Sequence, residues 1–410
     1  ILKNFFYGLI EIDKVRNKYV FFRPLDNLLQ KFIDFLNSIS KFSKFVFSSN
    51  TYNERNSLRV KFLNKEDNPY LRIEKLSFMK NISGFVCFPN FGFLSDFISV
   101  FPIRQTIKVN LKNFDILLTS APLNLVSKKN IPIIQTIHDL IPLEYDPNVL
   151  AVRSFYKKLK FCKNTKNIFI SQITRDKFNK LFNHNEKDKS EAVVIQHPSL
   201  YFEDYEKILT YKNILKKITI KPDSLKPLSY FLFNASIDMR KNVLQLIESF
   251  INSEAQKNGK LLLITGKLKD DSYSKEIRNL ISKNKGIITT GYVNEALKSA
   301  LYLNALCLLS PSIIEGFGIP VLDACCLGLK CYASDCNSHK EIQKLYDFSN
   351  FLEICETNSI KWNEIFNNED LTDQSNHEIT IINRIYRYEK FNRKIKNQFR
   401  IDISNLINNI

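Results

Sequence analysis

The sequence predicts an α/β fold made of two doubly wound halves. Three observations predict it. Apolar runs that suit parallel strands alternate with helical patterns from the start of the chain to about residue 200. A second alternation of the same kind runs from 230 to 333. Between them lies a Lys-rich segment containing Pro222 and Pro227, which reads as a connection. Repeated strand–helix alternation implies a parallel sheet covered by helices.

In the first half the candidate strands are Tyr19–Phe22, Phe45–Ser48, Ile116–Leu118, Ile133–Thr136, Ile168–Ser171 and Val193–Gln196. Helical patterns lie around 25–40 and 151–163, and Phe5, Leu9 and Ile12 fall at helical spacing in the opening segment. In the second half strands are expected at 230–234, 260–265, 287–289, 305–309 and 329–333. Helices are expected at 242–254, 273–284, 295–302 and 320–328. The tail is irregular from about 343, polar at 363–377, and then helical. The expected domains are 1–204, a linker at 205–229, 230–378, and a helical tail at 379–410 that would cross back to the first domain. Two such domains would face each other across a cleft at the carboxyl ends of their sheets, where open α/β sheets bind ligands.

Composition narrows the class. A chain of 410 residues with 44% hydrophobic content can bury substantial cores, which excludes global disorder. The eight cysteines show no paired secretory pattern and no C-x-x-C, so neither a disulfide framework nor a metal site is expected. The formal charge of +17 has two open readings: attraction to an anionic membrane surface, or composition bias in a Lys- and Asn-rich chain. Nucleic-acid binding is not expected, because the lysines are dispersed and no nucleic-acid motif is present. The best hydrophobic window, Gly84 to Ile103, is interrupted by Pro89, Asn90, Asp96 and Pro102 and reads as buried strand and loop rather than a membrane span. A cytoplasmic protein is the expectation, and peripheral contact with the inner face of a membrane follows only under the first reading of the charge.

The most informative stretch is Pro311 to Ala324. Gly316 and Gly318 flank Phe317, Ile319 and Pro320 open a helix, and Val321, Leu322 and Ala324 continue it. A strand, a Gly-containing turn and a helix N-terminus together aim free N–H groups and the positive end of the helix dipole at one spot. Glu315 and Asp323 are expected to bracket it. Backbone for a phosphate and carboxylates for sugar hydroxyls suit a nucleotide sugar. Upstream, Arg240 and Lys241 follow an apolar strand. They could cap a surface helix or hold a diphosphate, Arg through forked contacts. His138 follows another apolar strand and precedes Asp139, a placement that suits a site at a sheet's carboxyl end. Ser171 and Thr174 are explained equally well as helix caps. His184, His197, His339 and His377 receive no role.

Ser310 to Glu341 resembles the donor-site signature of the retaining glycosyltransferases of family 4, which have the GT-B fold. The match comprises Pro311-Ser312, Glu315 through Ala324, Gly328, and Cys331 through Asp335, with Asp323 standing where the family has Glu. Phe231 to Asn242, Leu262 to Lys267 and Ile288 to Val293 resemble further donor-side strand ends. Ala235 replaces the family's usual Gly. Gln135 to Pro142 and Ile168 to Arg175 resemble first-domain loops. The resemblance implies a diphosphate held by Arg240, Lys241 and the backbone at Gly316, Phe317, Gly318 and Ile319. It implies a base beside Gly291, Tyr292 and Val293, a sugar at Glu315, a ribose at Asp323, and His138 orienting sugar or acceptor. Catalytic weight would fall on His138, Lys241 and Glu315, without metal or cofactor.

The implied reaction is transfer of a hexose, with mannose as a candidate, from a nucleotide-diphosphate sugar to a glycan or lipid-linked acceptor with retention. Rival readings are a catalytically degenerate sugar-nucleotide-binding protein and, further off, a GT-B sugar-nucleotide epimerase. The chain begins without Met, and the family's first strand and Gly-rich turn are expected to be missing, through truncation or loss.

Overall fold

The computed structural model describes residues 19–23, 61–64, 82–87, 99, 106–109, 115–127, 131–182, 191–193, 198–200, 225–368 and 377–408. The expected elements at 1–12, 25–40 and Phe45–Ser48, and most of the 205–229 connection, lie outside them. The chain divides into two compact units. One comprises 1–170, 174–194 and 400–410; the other comprises 171–173 and 195–399. This division puts the boundary at 194/195, and splits the final helix between the two units.

In the first unit the strands are β1 (Tyr19–Arg23), β2 (Lys61–Asn64), β3 (Ile82–Cys87), β4 (Ile107–Val109), β5 (Leu117–Thr119), β6 (Leu125–Ser127) and β7 (Ile133–Ile137). Helices α1 (Ile141–Tyr145) and α2 (Val149–Cys162) follow, then β8 (Lys166–Phe169), α3 (Gln172–Phe182) and β9 (Glu191–Val193). The order β5-β7-β8-β9 forms a parallel sheet, and β4 pairs with β6, also parallel. The remaining sheet, β1-β3-β2, is mixed: β1 runs parallel to β3, whereas β2 runs antiparallel to it. An antiparallel edge on an otherwise parallel sheet is common, because only interior strands are constrained by two neighbours.

Helix α2 starts where it does because Asn148 caps it, its Oδ1 accepting the N–H groups of Leu150 at 3.0 Å and Ala151 at 3.2 Å. Its inner face delivers Leu159 and Cys162 to a core with Ile137, Leu140, Phe169, Phe178 and Phe182. Phe178 packs at a tilt of 57° against both Phe169 (centroids 5.3 Å apart) and Phe182 (4.9 Å).

The second unit contains β10 (Tyr230–Asn234), a 3-10 turn (Met239–Lys241), α4 (Val243–Ile251), α5 (Glu254–Lys257), β11 (Leu261–Thr265) and α6 (Ser272–Lys283). It continues with β12 (Ile287–Gly291), α7 (Glu295–Asn304), β13 (Leu308–Ser310), α8 (Ile319–Leu327), β14 (Cys331–Ser334), α9 (Asn337–Tyr346), β15 (Leu352–Cys355) and α10 (Ser359–Phe366). The last helix, α11, spans His377–Asn408. All six strands are parallel, in the order β12-β11-β10-β13-β14-β15. The winding therefore reverses between β10 and β13. At such a switch point the two following loops diverge to opposite faces and leave a crevice at the strand ends.

The expected strand at 305–309 begins later, at Leu308, although Leu306 N–H already donates to Tyr230 O at 2.9 Å. A buried arginine explains the delay. Arg384 of α11 donates to Leu303 O at 2.6 Å and Ala305 O at 3.1 Å, satisfying carbonyls at the α7 terminus that the helix itself cannot. Burial lowers its pKa to about 10, which still leaves it charged at neutral pH. Arg384→Met keeps the stem but orphans both carbonyls. It is expected to cost about 1–3 kcal/mol in urea unfolding; an unchanged midpoint would show that these bonds contribute nothing.

Candidate functional site

The loops after β10 and β13 carry the two sequence motifs, so the strand order brings the motifs to one end of one sheet. The turn residues explain the local geometry. Asn242 adopts a left-handed conformation (φ 51°) between the 3-10 turn and α4, which Asn tolerates better than most residues. Gly318 is left-handed as well (φ 99°) and forms the N-cap of α8, with Pro320 in the first turn.

The loops are joined by backbone and side chain. Ile313 N–H donates to Arg240 O at 2.7 Å, and the Arg240 guanidinium reaches Ile314 O at 3.4 Å. Lys241 Nζ donates to Glu315 Oε1 in a tight ion pair. Ser312 Oγ adds a second bond to the same oxygen at 2.8 Å. Arg240 stands 3.7 Å from Glu315 Oε2 and 3.4 Å from Asp238. The Lys241 and Glu315 side chains are only 7% and 9% exposed. Burial alone would raise the Glu315 pKa; the charge and hydrogen bond of Lys241 outweigh it and hold the carboxyl below its usual value. Glu315 is therefore ionised at neutral pH.

At the tip of the turn, the N–H groups of Val321 and Leu322 are taken by Gly318 O. Those of Phe317, Gly318 and Ile319 have no backbone acceptor among the described residues. A nine-residue helix contributes its positive end at the same place. Lys241, Arg240 and these N–H groups together suit an oxyanion.

Asp323 has different company. Its side chain is fully buried, and its two oxygens accept Ser199 N–H and Ser199 Oγ–H, each at 2.6 Å. Lys298 Nζ reaches Ser199 Oγ at 3.3 Å. Burial outweighs the Ser199 bonds and pushes the Asp323 pKa up to about 6. Where the sequence suggested two carboxylates around one spot, the structure gives them separate partners. Reaching a ribose would require Asp323 to release both Ser199 bonds.

Gly291 ends β12 in a left-handed conformation (φ 67°) and its carbonyl accepts Gly266 N–H at 3.0 Å. Tyr292 beyond it is 82% exposed, and Val293 is half-buried. Gly266 is irreplaceable in this backbone, since a Cβ there would lie 2.0 Å from Ala235 O. Glu341, also in the second unit, accepts the N–H of Gln172 at 2.8 Å, and Ser171 Oγ donates to Gly316 O at 3.3 Å.

His138 belongs to the first unit, just past β7. Its Nε2 donates to Ser120 O at 2.7 Å, while Nδ1 is buried without a partner among the described residues. Burial lowers its pKa, outweighing the Ser120 bond, so the ring is neutral at pH 7 with its lone pair on Nδ1. Thr174 Oγ1 donates to His138 O at 3.5 Å.

Sequence reasoning missed His339. It is fully buried beneath the glycine turn, between the ends of β13 and β14. The one signal that could have found it is its place at the start of the helix following a strand that ends in Ser334. Cys162, Cys307, Cys325, Cys326, Cys331, Cys336 and Cys355 are buried and free, and among the described residues no helix is long and apolar enough to cross a membrane.

Residues 216–364 match the family Glycosyl transferases group 1. No curated protein matches the chain. Solved structures share its fold. HepE from Anabaena in complex with UDP-glucose is 12% identical at a TM-score of 0.53, over 79% of this chain and 87% of that one. Sucrose-phosphate synthase from Thermosynechococcus elongatus is 14% identical at 0.51, over 73% and 75%. WaaG, a glycosyltransferase involved in lipopolysaccharide biosynthesis, is 14% identical at 0.50, over 92% and 97%. Two parallel-sheet α/β units with these likenesses give the GT-B fold.

Proposed function

We propose that the chain is a sugar-nucleotide glycosyltransferase that moves a hexose, mannose being a candidate, onto a glycan or lipid-linked acceptor with retention of configuration. The observation that carries this reading is the Lys241–Glu315 pair at the switch point of the second unit, beside Arg240 and the α8 N-terminus. The match of residues 216–364 to a glycosyltransferase family supports it.

In this reading the donor diphosphate lies against Arg240, Lys241 and the N–H groups of Gly316 to Ile319. These charges stabilise the negative charge that grows on the departing phosphate as the sugar–oxygen bond breaks. Glu315 performs two tasks. It holds Lys241 in place, so less rotamer entropy is lost when the anion arrives, and its second oxygen faces the sugar hydroxyls. The acceptor oxygen forms its bond to the anomeric carbon on the same face, and its proton passes to the leaving phosphate. No metal is required, because permanent cations and the helix end supply the positive field. His138 orients sugar or acceptor, and the base sits by Gly291, Tyr292 and Val293. The enzyme works in the cytoplasm, against an anionic membrane surface that attracts its positive charge.

The sequestered Asp323 favours a second reading, donor binding without turnover. A panel of nucleotide-diphosphate sugars separates the possibilities. A bound donor at about a hundred times its Kd adds about 2.7 kcal/mol and raises Tm. Stabilisation with sugar transfer supports the enzyme, stabilisation without transfer or donor hydrolysis supports the binding protein, and no stabilisation by any donor rejects both.

A further inference from the structure

We propose that His339 is a positioning residue: it ties the ends of β13 and β14 together beneath the 311–318 turn and so fixes where Glu315 meets Lys241. Its importance for ligand affinity rests on the reading above; its hold on the turn does not.

The geometry is specific. Ser334 O can only accept, and His339 Nδ1 lies 3.0 Å from it, so Nδ1 carries the proton. Nε2 is then the acceptor for Ser310 Oγ–H at 3.4 Å. The ring thus joins the last residue of β13 to the last residue of β14. Ser334 Oγ also donates to Ser312 O, and Ser312 Oγ bonds Glu315 Oε1. A continuous set of contacts runs from the imidazole to the carboxylate. The same ring forms the floor under Gly318, where an added Cβ would lie 3.1 Å from His339 Cδ2. Ser338, the preceding residue, donates to Glu315 O at 2.7 Å, so the start of α9 grips the turn twice.

Both ring nitrogens must play opposite roles, which only a neutral imidazole can do. Burial keeps it neutral by lowering its pKa; the nearby Glu315 charge works against this and Lys241 works with it. Phe has similar volume but neither polar role. Asn keeps a donor at the Nδ1 position.

The test is amide hydrogen exchange on the whole chain, with nucleotide affinity as a second readout. His339→Phe is expected to speed exchange in the peptide covering 311–319 by about tenfold, with the sheet strands unchanged. His339→Asn is expected to restore most of the protection. UDP, GDP and ADP serve as affinity probes, and whichever binds the parent protein should bind His339→Phe about tenfold more weakly. Should His339→Phe not fold, Ser334→Ala breaks the same chain of contacts one step along and must show the same local loosening. Unchanged exchange at 311–319, or equal acceleration throughout the second unit, overturns the inference. Failure of all three nucleotides to bind the parent protein counts against the proposed function alone, since the exchange result needs no ligand.

Discussion

Replacing Lys241 with Ala is expected to abolish sugar transfer and to destabilise the second unit as well. The burial of both partners is the reason for the second effect. Removing the ammonium leaves the Glu315 carboxylate with only Arg240 at 3.7 Å and a hydroxyl bond from Ser312. Breaking one side of a buried pair costs about 3–5 kcal/mol. Glu315→Gln should be milder, because its amide oxygen still accepts from Lys241 and Ser312.

Transfer and folding can be separated by removing both charges. Lys241→Met with Glu315→Leu replaces a buried pair by apolar groups, which is often neutral for stability. The double variant is expected to unfold at nearly the parent midpoint while transfer falls by at least about a thousandfold, as for loss of a preorganised electrostatic group. Calorimetry and a radiolabelled-sugar assay on the same preparations read the two effects. A folded double variant that still transfers sugar would end the assignment of this pair to the reaction.

Asp323→Asn is expected to remove a pH dependence rather than an activity. The wild-type carboxyl has its pKa raised from 3.8 to about 6 by burial. The folded state therefore binds the proton more tightly than the unfolded chain. The sign follows: this residue's contribution to stability is fully present below about pH 4 and is lost as pH rises through about 6. The span corresponds to about 3 kcal/mol. The groups facing it are Ser199, Lys298 through its charge, and Tyr302 and Tyr388, whose own pKa values are driven up by burial and by the Asp323 charge. Asn can accept Ser199 N–H and donate to Ser199 Oγ, so it replaces both bonds without a buried charge. Urea midpoints for the two proteins at about pH 4 and pH 8 should differ by a margin that grows toward alkaline pH in favour of Asn. A difference independent of pH would show that Asp323 does not titrate in this range.

Local chemistry accounts for how much could be seen in advance. The β10 boundaries coincide with expectation because Tyr230 to Asn234 is a short apolar run followed by loop residues. Helix α6 is one residue from expectation at each end because Asp271 caps it, accepting Ser274 N–H at 2.7 Å. The start of α8 was marked by Gly318 and Pro320. In the first half, strand pairing was less legible. Whether β2 runs with or against β3 depends on its partner rather than on its own residues.

By itself, the sequence determined the order of strands and helices from 230 to 333, the glycine turn before α8, and the residue types available for gripping an anion; it read the chain from about 343 as irregular, where the structure has β15 (Leu352–Cys355) and α10 (Ser359–Phe366). These depend on periodicity and turn preferences spanning a few residues. Only the tertiary structure decided the partners: Glu315 with Lys241, Asp323 with Ser199, and His339 between Ser310 and Ser334. Each joins residues on different elements, and the pairing depends on strand order and on which way each buried side chain turns. The same carboxylate chemistry is therefore paired with a buried ammonium at Glu315 and with the Ser199 backbone and hydroxyl at Asp323, eight residues later.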